Sequence, residues 1–332
     1  MKSILLTSTL ILLLVLVSLP RFNWRPLPEP LNSFVGGKPF DVEQYEKYVS
    51  YFRGNQIVRE ELESPFSHRP LIPFLASLLP FDELTSLNLI NILIISIGMI
   101  YLLKFLWSLK FSNKMVFIGG LLFVVSFPAF YYTTSGYIDA SLVGMILIFN
   151  YFLYTNKYYL FLIFFLIASL IKETVIVTFL ASVIYINYKE KGVNKYYKNL
   201  LTLILFFLIQ SLIKYFAPSK NIFFWKPNFE TIIYNLERIK TYVSFILTLG
   251  IPGFFTILNL INFKKFFIPY EIFLSLIVGA LSGFILWFYS IFSAHADGRH
   301  LWVIYPYTVP IATNFINYLF EEKFSQTYKL SK

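Results

Sequence analysis

FDVEQYEKYVSYFRGNQIVREELESPFSHRPLIPFLASLLP runs from Phe40 to Pro80, a polar stretch set between two apolar runs. Before it lies SILLTSTLILLLVLVSLP (residues 3–20), and after it the apolar run 85–109. Runs of about 18 apolar residues are long enough to cross a bilayer as helices. The stretch therefore reads as part of a loop, 21–83, joining two membrane spans. Within it Val42, Tyr45, Tyr48, Val49 and Phe52 follow helical spacing, so Asp41 to Phe52 is expected to form a short helix. Asp41 falls at its N-terminus, where exposed N–H groups favour a carboxylate. Glu60, Glu61 and Glu63 read as a solvated face. Pro70 to Leu79 is apolar but too short to span, and is expected to lie in the membrane interface.

Composition places the whole chain in the same class. Of its 332 residues 57% are hydrophobic and only 14% charged, against about 25% charged in globular domains. Mean hydropathy is +0.65. Besides 3–20 and 85–109, apolar runs recur at 115–132, 138–155, 158–171, 174–188, 199–216, 241–262, 267–292 and 301–319. The expected fold is an all-α polytopic membrane protein of about ten transmembrane helices. Residues 1–320 form a single domain, with no separate soluble domain and no internal repeat. The two spans around Lys172-Glu173 are short and read either as two helices or as one broken pair. Residues 217–240 form a second loop with an amphipathic helix over Phe229–Ile239. Residues 321–332 are a tail. The first run reads as an uncleaved anchor, since no small-residue cleavage site precedes Arg21.

The net charge of +10 could indicate nucleic acid, but its distribution indicates topology. With the N-terminus in the cytoplasm, lysines crowd the inner loops, as at 189–198 and 263–266, and every arginine falls outside. Lysine-rich segments stay cytoplasmic, so both termini are expected inside the plasma membrane and the long first loop outside. The chain has no cysteine, which excludes disulfides and cysteine metal sites.

That topology gathers the polar residues of the spans and turns on the outer side: Asp41, Glu43, His68 and Arg69 in the first loop, Asp139 in SGYIDAS, Lys172 and Glu173, and His295, Asp297, Arg299 and His300 in AHADGRH. Ionisable groups at membrane depth are costly and point to function. Each also has a plainer reading. Asp41 and Asp139 could cap helices, Lys172 and Glu173 could be a loop pair, and Arg299 could snorkel to headgroups. His295 and His300 are weaker candidates. Glu43 and Glu46 are expected to face water or to pair locally with Lys47, and Asp82 and Glu83 to cap the second span.

Five motifs in order resemble the GT-C superfamily of membrane glycosyltransferases, in particular the protein O-mannosyltransferase and aminoarabinose transferase group. Asp41 and Tyr45 match a D-x-x-x-Y region. HRPLIPFLASLLP resembles a K/R-P-P-L segment. SFPAFYYTTSGYIDAS resembles the turn holding a second acid. LIASLIKETVIV resembles a leucine-rich "LTK" segment, and GRHLWVIYPYTVPI an R-Y-x-x-P helix start. The chain departs from the pattern at Val42, where a second carboxylate is common, and at the single Pro70. The resemblance implies a polyprenyl-phosphate sugar donor and a glycan, lipid or protein acceptor in contact with membrane lipids, without nucleic acid. It implies Asp41 as general base, Asp139 as a second acid, and Arg299, Lys172 and Arg69 on the phosphate. Tyr45, His68, Glu173 and His300 would complete the substrate site. No cofactor is expected; a divalent metal between Asp41 and Asp139 is the less favoured alternative. A polymerase or ligase of the O-antigen type, a transporter and a non-catalytic subunit are the rival classes.

Overall fold

The computed structural model describes residues 2–25, 38–218, 227–261, 267–293 and 295–330. Pro26, Pro28, Pro30, Lys264 and Lys265 lie outside them. Among the described residues the chain is helical throughout, without a β-sheet. Five helices are long and apolar enough to cross a membrane: α1 with the 3-10 turn that follows it (Ser3–Trp24), α4 (Glu83–Ser108), α10 (Asn194–Phe216), α12 (Ile239–Ile261) and α13 (Tyr270–Ser293). Three more apolar helices are shorter: α5 (Asn113–Val124), α7 (Asp139–Tyr154) and α8 (Tyr158–Ile171). The remainder are α2 (Phe40–Phe52), α3 (Leu71–Ser77), α6 (Phe127–Tyr132), α9 (Phe179–Lys189), α11 (Phe229–Glu237) and α14 (Tyr305–Leu330).

The short helices have local causes. The expected span 115–132 breaks after Val124, where the Ser126 hydroxyl accepts from the backbone N–H of Ala129 and Pro128 opens a new helix. The pair around Lys172 is two segments. α8 ends at Ile171, Glu173–Thr178 forms a 3-10 turn, and α9 runs back. The Tyr185 hydroxyl on α9 lies 2.9 Å from Asn156 Oδ1, just before α8 begins, so the chain has doubled back. α14 continues to Leu330, so the backbone of the tail prolongs the last helix.

α7 is the centre of the bundle, buried along nearly its whole length. It crosses α4 at glycine: a Cβ on Gly98 would stand 2.6 Å from Gly144 Cα. Only backbones without side chains approach that closely. α1 and α10 lie at the periphery, with 17% of their apolar windows buried against 50% for α4.

Polar contacts collect at two ends. At one end Lys189 pairs with Glu271 at 3.0 Å, Lys198 with Glu190, and the Tyr158 hydroxyl donates to the Lys198 carbonyl at 2.6 Å. At the other end Asn23, Thr85, Asn88 and Gly136 form a hydrogen-bonded chain, and α2 and α3 cover the start of α4. On α2, Val42, Tyr45, Tyr48 and Val49 are buried, as their spacing predicts. On α3, Ile72 and Ala76 are buried, while Phe74, and Leu78 just after the helix, face outward at 44% and 66% exposure. That pattern fits a helix lying along an interface. The amphipathic helix expected over Phe229–Ile239 ends at Glu237. Its outer face carries Phe229, Ile233, Tyr234 and Leu236, while Asn235 is buried.

Candidate functional site

Three ion pairs, each with a buried cation, meet at the end of the bundle that carries α2 and α3; the Glu173 side chain of one of them is 35% exposed. The first joins the loop to the turn before α14. Asp41 sits in the first turn of α2, but Pro39 precedes the helix there and no side chain caps it. The Asp41 carboxylate instead takes Arg299 Nη2 at 2.6 Å, with the two side chains 15% and 8% exposed. The Arg299 guanidinium also lies 4.3 Å above the Tyr137 ring, a favourable cation–π position. Burial opposes its charge, but Asp41 and Tyr137 outweigh that and hold its pKa well above the usual arginine value. Arg299 is thus a buried, paired cation rather than a snorkelling one.

The second pair is Lys172 with Asp139. Lys172 Nζ donates to Asp139 Oδ1 at 2.7 Å, at 5% and 3% side-chain exposure. The third is Arg69 with Glu173, a two-pronged contact of 2.9 Å from Nε and 2.5 Å from Nη2. Arg69 Nη1 donates to the Tyr45 hydroxyl at 2.9 Å. This fork geometry is available to arginine and not to lysine. Burial disfavours the charge on Arg69, yet Glu173 and Tyr45 together raise its pKa. Burial likewise works against the Glu173 carboxylate, and Arg69 reverses it, leaving the pKa below the usual glutamate value. Lys172 and Glu173 are therefore not a pair with each other. Neighbouring in sequence, they turn to different partners.

Asp41, Arg69, Lys172, Glu173, Arg299 and His300 line one cavity of about 180 Å³. Thr174 adds to the wall, and α13 closes it with Leu286, Tyr289 and Ser290. Tyr289 is also 52% exposed on the outside of the bundle, so the cavity reaches the surface there. Three lining residues carry a buried polar atom with no hydrogen-bond partner among the described residues: Thr174 Oγ1, Arg299 Nε and His300 Nε2. Unpaired buried groups are rare and costly. Burial, with Arg299 and Lys172 close by, pushes the His300 pKa well below the usual histidine value.

Six of the nine expected site residues line the cavity. Asp139 does not; it reaches the site through Lys172, so its position is that of a cation holder. Tyr45 acts through Arg69. His68 lies apart, with Nδ1 3.2 Å from Ser64 Oγ and a pKa lowered by burial. His295 meets Arg238 at 3.1 Å on an exposed surface. Glu46 pairs with Lys38, and Lys47 with Glu61 at 2.8 Å, so of the two alternatives for Glu46 the local pair with Lys47 does not form. Asp82 caps α4 through the Thr85 N–H, whereas Glu83 pairs with Arg53 at 3.1 Å. Asp41 and Asp139 each answer a cation. Among the described residues no group of three or more His, Asp or Glu side chains is placed to hold a metal.

Several residues that hold the site have no local signature. Asn91 donates to the Tyr137 carbonyl at 2.5 Å and accepts from the Ser141 hydroxyl at 2.6 Å. Asn88 accepts from the Gly136 N–H at 2.8 Å. Together they fix the turn that presents Tyr137 and Asp139. Tyr132 donates to Asp297, and Asn235 grips the Ile291 carbonyl and the Ala296 N–H, each at 3.0 Å. Gly298 seats the next residue, Arg299, because a Cβ there would stand 2.6 Å from the Ser244 carbonyl oxygen. Only the proximity of Tyr137 to Asp139 and of Thr174 to Glu173 could have drawn attention to them in the sequence.

No protein-family model matches this chain, and no curated protein or solved structure does either.

Proposed function

We propose that the protein is a glycosyltransferase of the GT-C kind, moving a sugar from a polyprenyl-phosphate donor to an acceptor hydroxyl. The observation that carries this reading is the cavity. Two permanent cations, Arg69 and Arg299, and the amine of Lys172 surround it beside a carboxylate, Asp41, and it reaches the bundle surface at Tyr289. A phosphate needs the cations, an acceptor hydroxyl needs the carboxylate, and a lipid tail needs an apolar exit. The exposed Ile285, Phe288 and Tyr289 of α13 supply that exit. In this reading ten apolar segments cross the plasma membrane, both termini are cytoplasmic, and the arginine-bearing end faces outward.

The step is a single displacement. The acceptor oxygen bonds to the anomeric carbon as the bond from that carbon to the phosphate oxygen breaks. The electron pair of the broken bond leaves on the phosphate, and the acceptor proton passes to Asp41. The configuration at the anomeric carbon inverts. Arg299 turns part of its fork from Asp41 to the phosphate, which stabilises the leaving group and frees a carboxylate oxygen for the proton. Lys172 and Arg69 add positive charge that is already in place before the reaction. The acceptor is a glycan, lipid or protein hydroxyl.

The test is transfer from defined polyprenyl-phosphate sugars in membranes, with the wild type beside Asp41→Asn and Arg299→Ala. Release of polyprenyl phosphate by the wild type and its loss in Asp41→Asn, at equal insertion, is the expected result. Transfer that survives Asp41→Asn would remove Asp41 from the chemistry.

A further inference from the structure

Tyr137 does not line the cavity, yet it touches the cation that the proposed reaction moves. The Arg299 guanidinium is held from two sides. Asp41 takes its Nη2 at 2.6 Å, and its central carbon lies 4.3 Å over the Tyr137 ring. The ring is buried and braced by Trp24 and Tyr132, each in a T-shaped contact with centroids 6.0 Å apart. Its backbone is fixed as well: Asn88 accepts from the Gly136 N–H at 2.8 Å, and Asn91 donates to the Tyr137 carbonyl at 2.5 Å. Gly136 has a φ of +85°, and a Cβ there would stand 2.5 Å from Cγ1 of Val42, the neighbour of Asp41. One turn therefore packs against the start of α2, which carries Asp41, and also lies under the arginine that pairs with Asp41.

The two holds on Arg299 respond differently to the reaction. In the proposed displacement the acceptor proton passes to Asp41, and part of the Arg299 fork turns to the phosphate. A protonated carboxylate no longer holds a guanidinium by charge, and a buried cation that loses its partner is costly. Attraction to a ring face survives both events, since it requires only that the charge stay above the ring. We infer that Tyr137 is a positioning residue for Arg299: its ring keeps the guanidinium at the cavity wall while Asp41 gives it up. The inference rests on the donor reading proposed above, and it needs no contact between Tyr137 and the substrate. While Asp41 is ionised, carboxylate and ring hold the same cation and either can stand in for the other. Once Asp41 is neutral, the ring carries that hold. The weight of Tyr137 in phosphate binding is thus set by the charge on Asp41.

The experiment measures binding of undecaprenyl phosphate to the full-length protein in lipid nanodiscs, in the wild-type background and in Asp41→Asn, whose neutral carboxamide stands in for the protonated acid. Three changes are made at Tyr137 in each background: to Phe, to Leu, and to trifluorophenylalanine, which keeps the ring's shape but empties its face of charge. Tyr137→Leu should weaken binding at least about 10-fold more in Asp41→Asn than in the wild type. The fluorinated ring should behave as Leu does, and it decides the matter where Leu fails to fold. Tyr137→Phe, which keeps the ring face, should cost the same in both backgrounds to within about 2-fold. A purely structural role would cost the same in both backgrounds for every change, and that result overturns the inference while leaving the donor reading intact. So does a Phe variant as background-dependent as the fluorinated one. Loss of binding by Asp41→Asn alone also overturns it, because the carboxylate and not the ring would then be keeping Arg299 in place. Failure of the wild type and Asp41→Asn alike to bind the lipid removes the donor reading and the role of Tyr137 with it.

Discussion

Replacing Lys172 by methionine would strand the Asp139 carboxylate in a site where its side chain is 3% exposed. At the observed 2.7 Å, two unit charges attract by about 6 kcal/mol at an effective dielectric of 20. Desolvation of both groups cancels part of this. Breaking a buried pair from one side costs about 3–5 kcal/mol, because the remaining charge loses its direct partner. Lys172→Met should therefore destabilise by about 4 kcal/mol. In an Asp139→Asn background the same change no longer strands a charge and should cost about 1 kcal/mol. The coupling between the two sites is then about 3 kcal/mol. Reversible unfolding in mixed micelles with increasing SDS, followed by tryptophan fluorescence, measures all four corners of the cycle. Lys189→Met is the control: that lysine is 39% exposed at the opposite end, beside Glu271, and should cost less than about 1 kcal/mol. If Lys172→Met costs the same in both backgrounds to within about 0.5 kcal/mol, Lys172 and Asp139 do not share a contact and the arrangement of the site is wrong.

Arg69→Lys keeps the charge but not the fork to Glu173 and Tyr45; it should lower stability by about 1–3 kcal/mol, and a variant unchanged in the same SDS titration would contradict the bidentate contact. His300 sets an acid limit. Its folded pKa lies below the unfolded value of 6.5, so the unfolded chain binds a proton near pH 6.5 that the folded chain refuses. Its contribution is therefore complete above that pH and lost as the pH falls below it. Melting temperature should drop on acidification from about pH 7.5 to 5.5, and His300→Gln should flatten the drop; an equally steep fall in the variant would assign it elsewhere. Gly98→Ala would force α4 off Gly144 and should cost about 1–3 kcal/mol; a neutral result in the unfolding assay would mean that the two helices cross less closely. Asn91→Leu breaks the bonds to Tyr137 and Ser141 and should weaken donor binding as well as stability, through Tyr137 beneath Arg299; a stability loss with unchanged binding would separate that network from the site.

The membrane character of the helices and the clustering of the candidate-site residues were legible in the sequence, and for one reason: both rest on local patterns. A run of apolar residues has to leave water wherever the rest of the chain goes, and lysines near its ends bias its direction. From these, Asp41, Arg69, Lys172, Glu173, Arg299 and His300 fall on one side, and they line one cavity. The short helix over Asp41–Phe52 was legible too, since its spacing is a property of consecutive residues, and the helix runs over Phe40–Phe52. Partnership was not. Lys172 and Glu173 look like a pair in the chain, yet each bonds a residue more than thirty positions away. Asp139 reads in the chain as a possible helix cap or second acid, and lies buried against a lysine. Asn88, Asn91 and Asn235 carry no signal at all, because an asparagine matters only for the backbone it meets across the bundle. Burial and hydrogen-bond geometry depend on which helices pack together, and no single segment contains that information. Sequence alone placed the charges at one end of the molecule; tertiary packing decided which charge answers which, because a buried ion can be held only by a partner within a few ångströms.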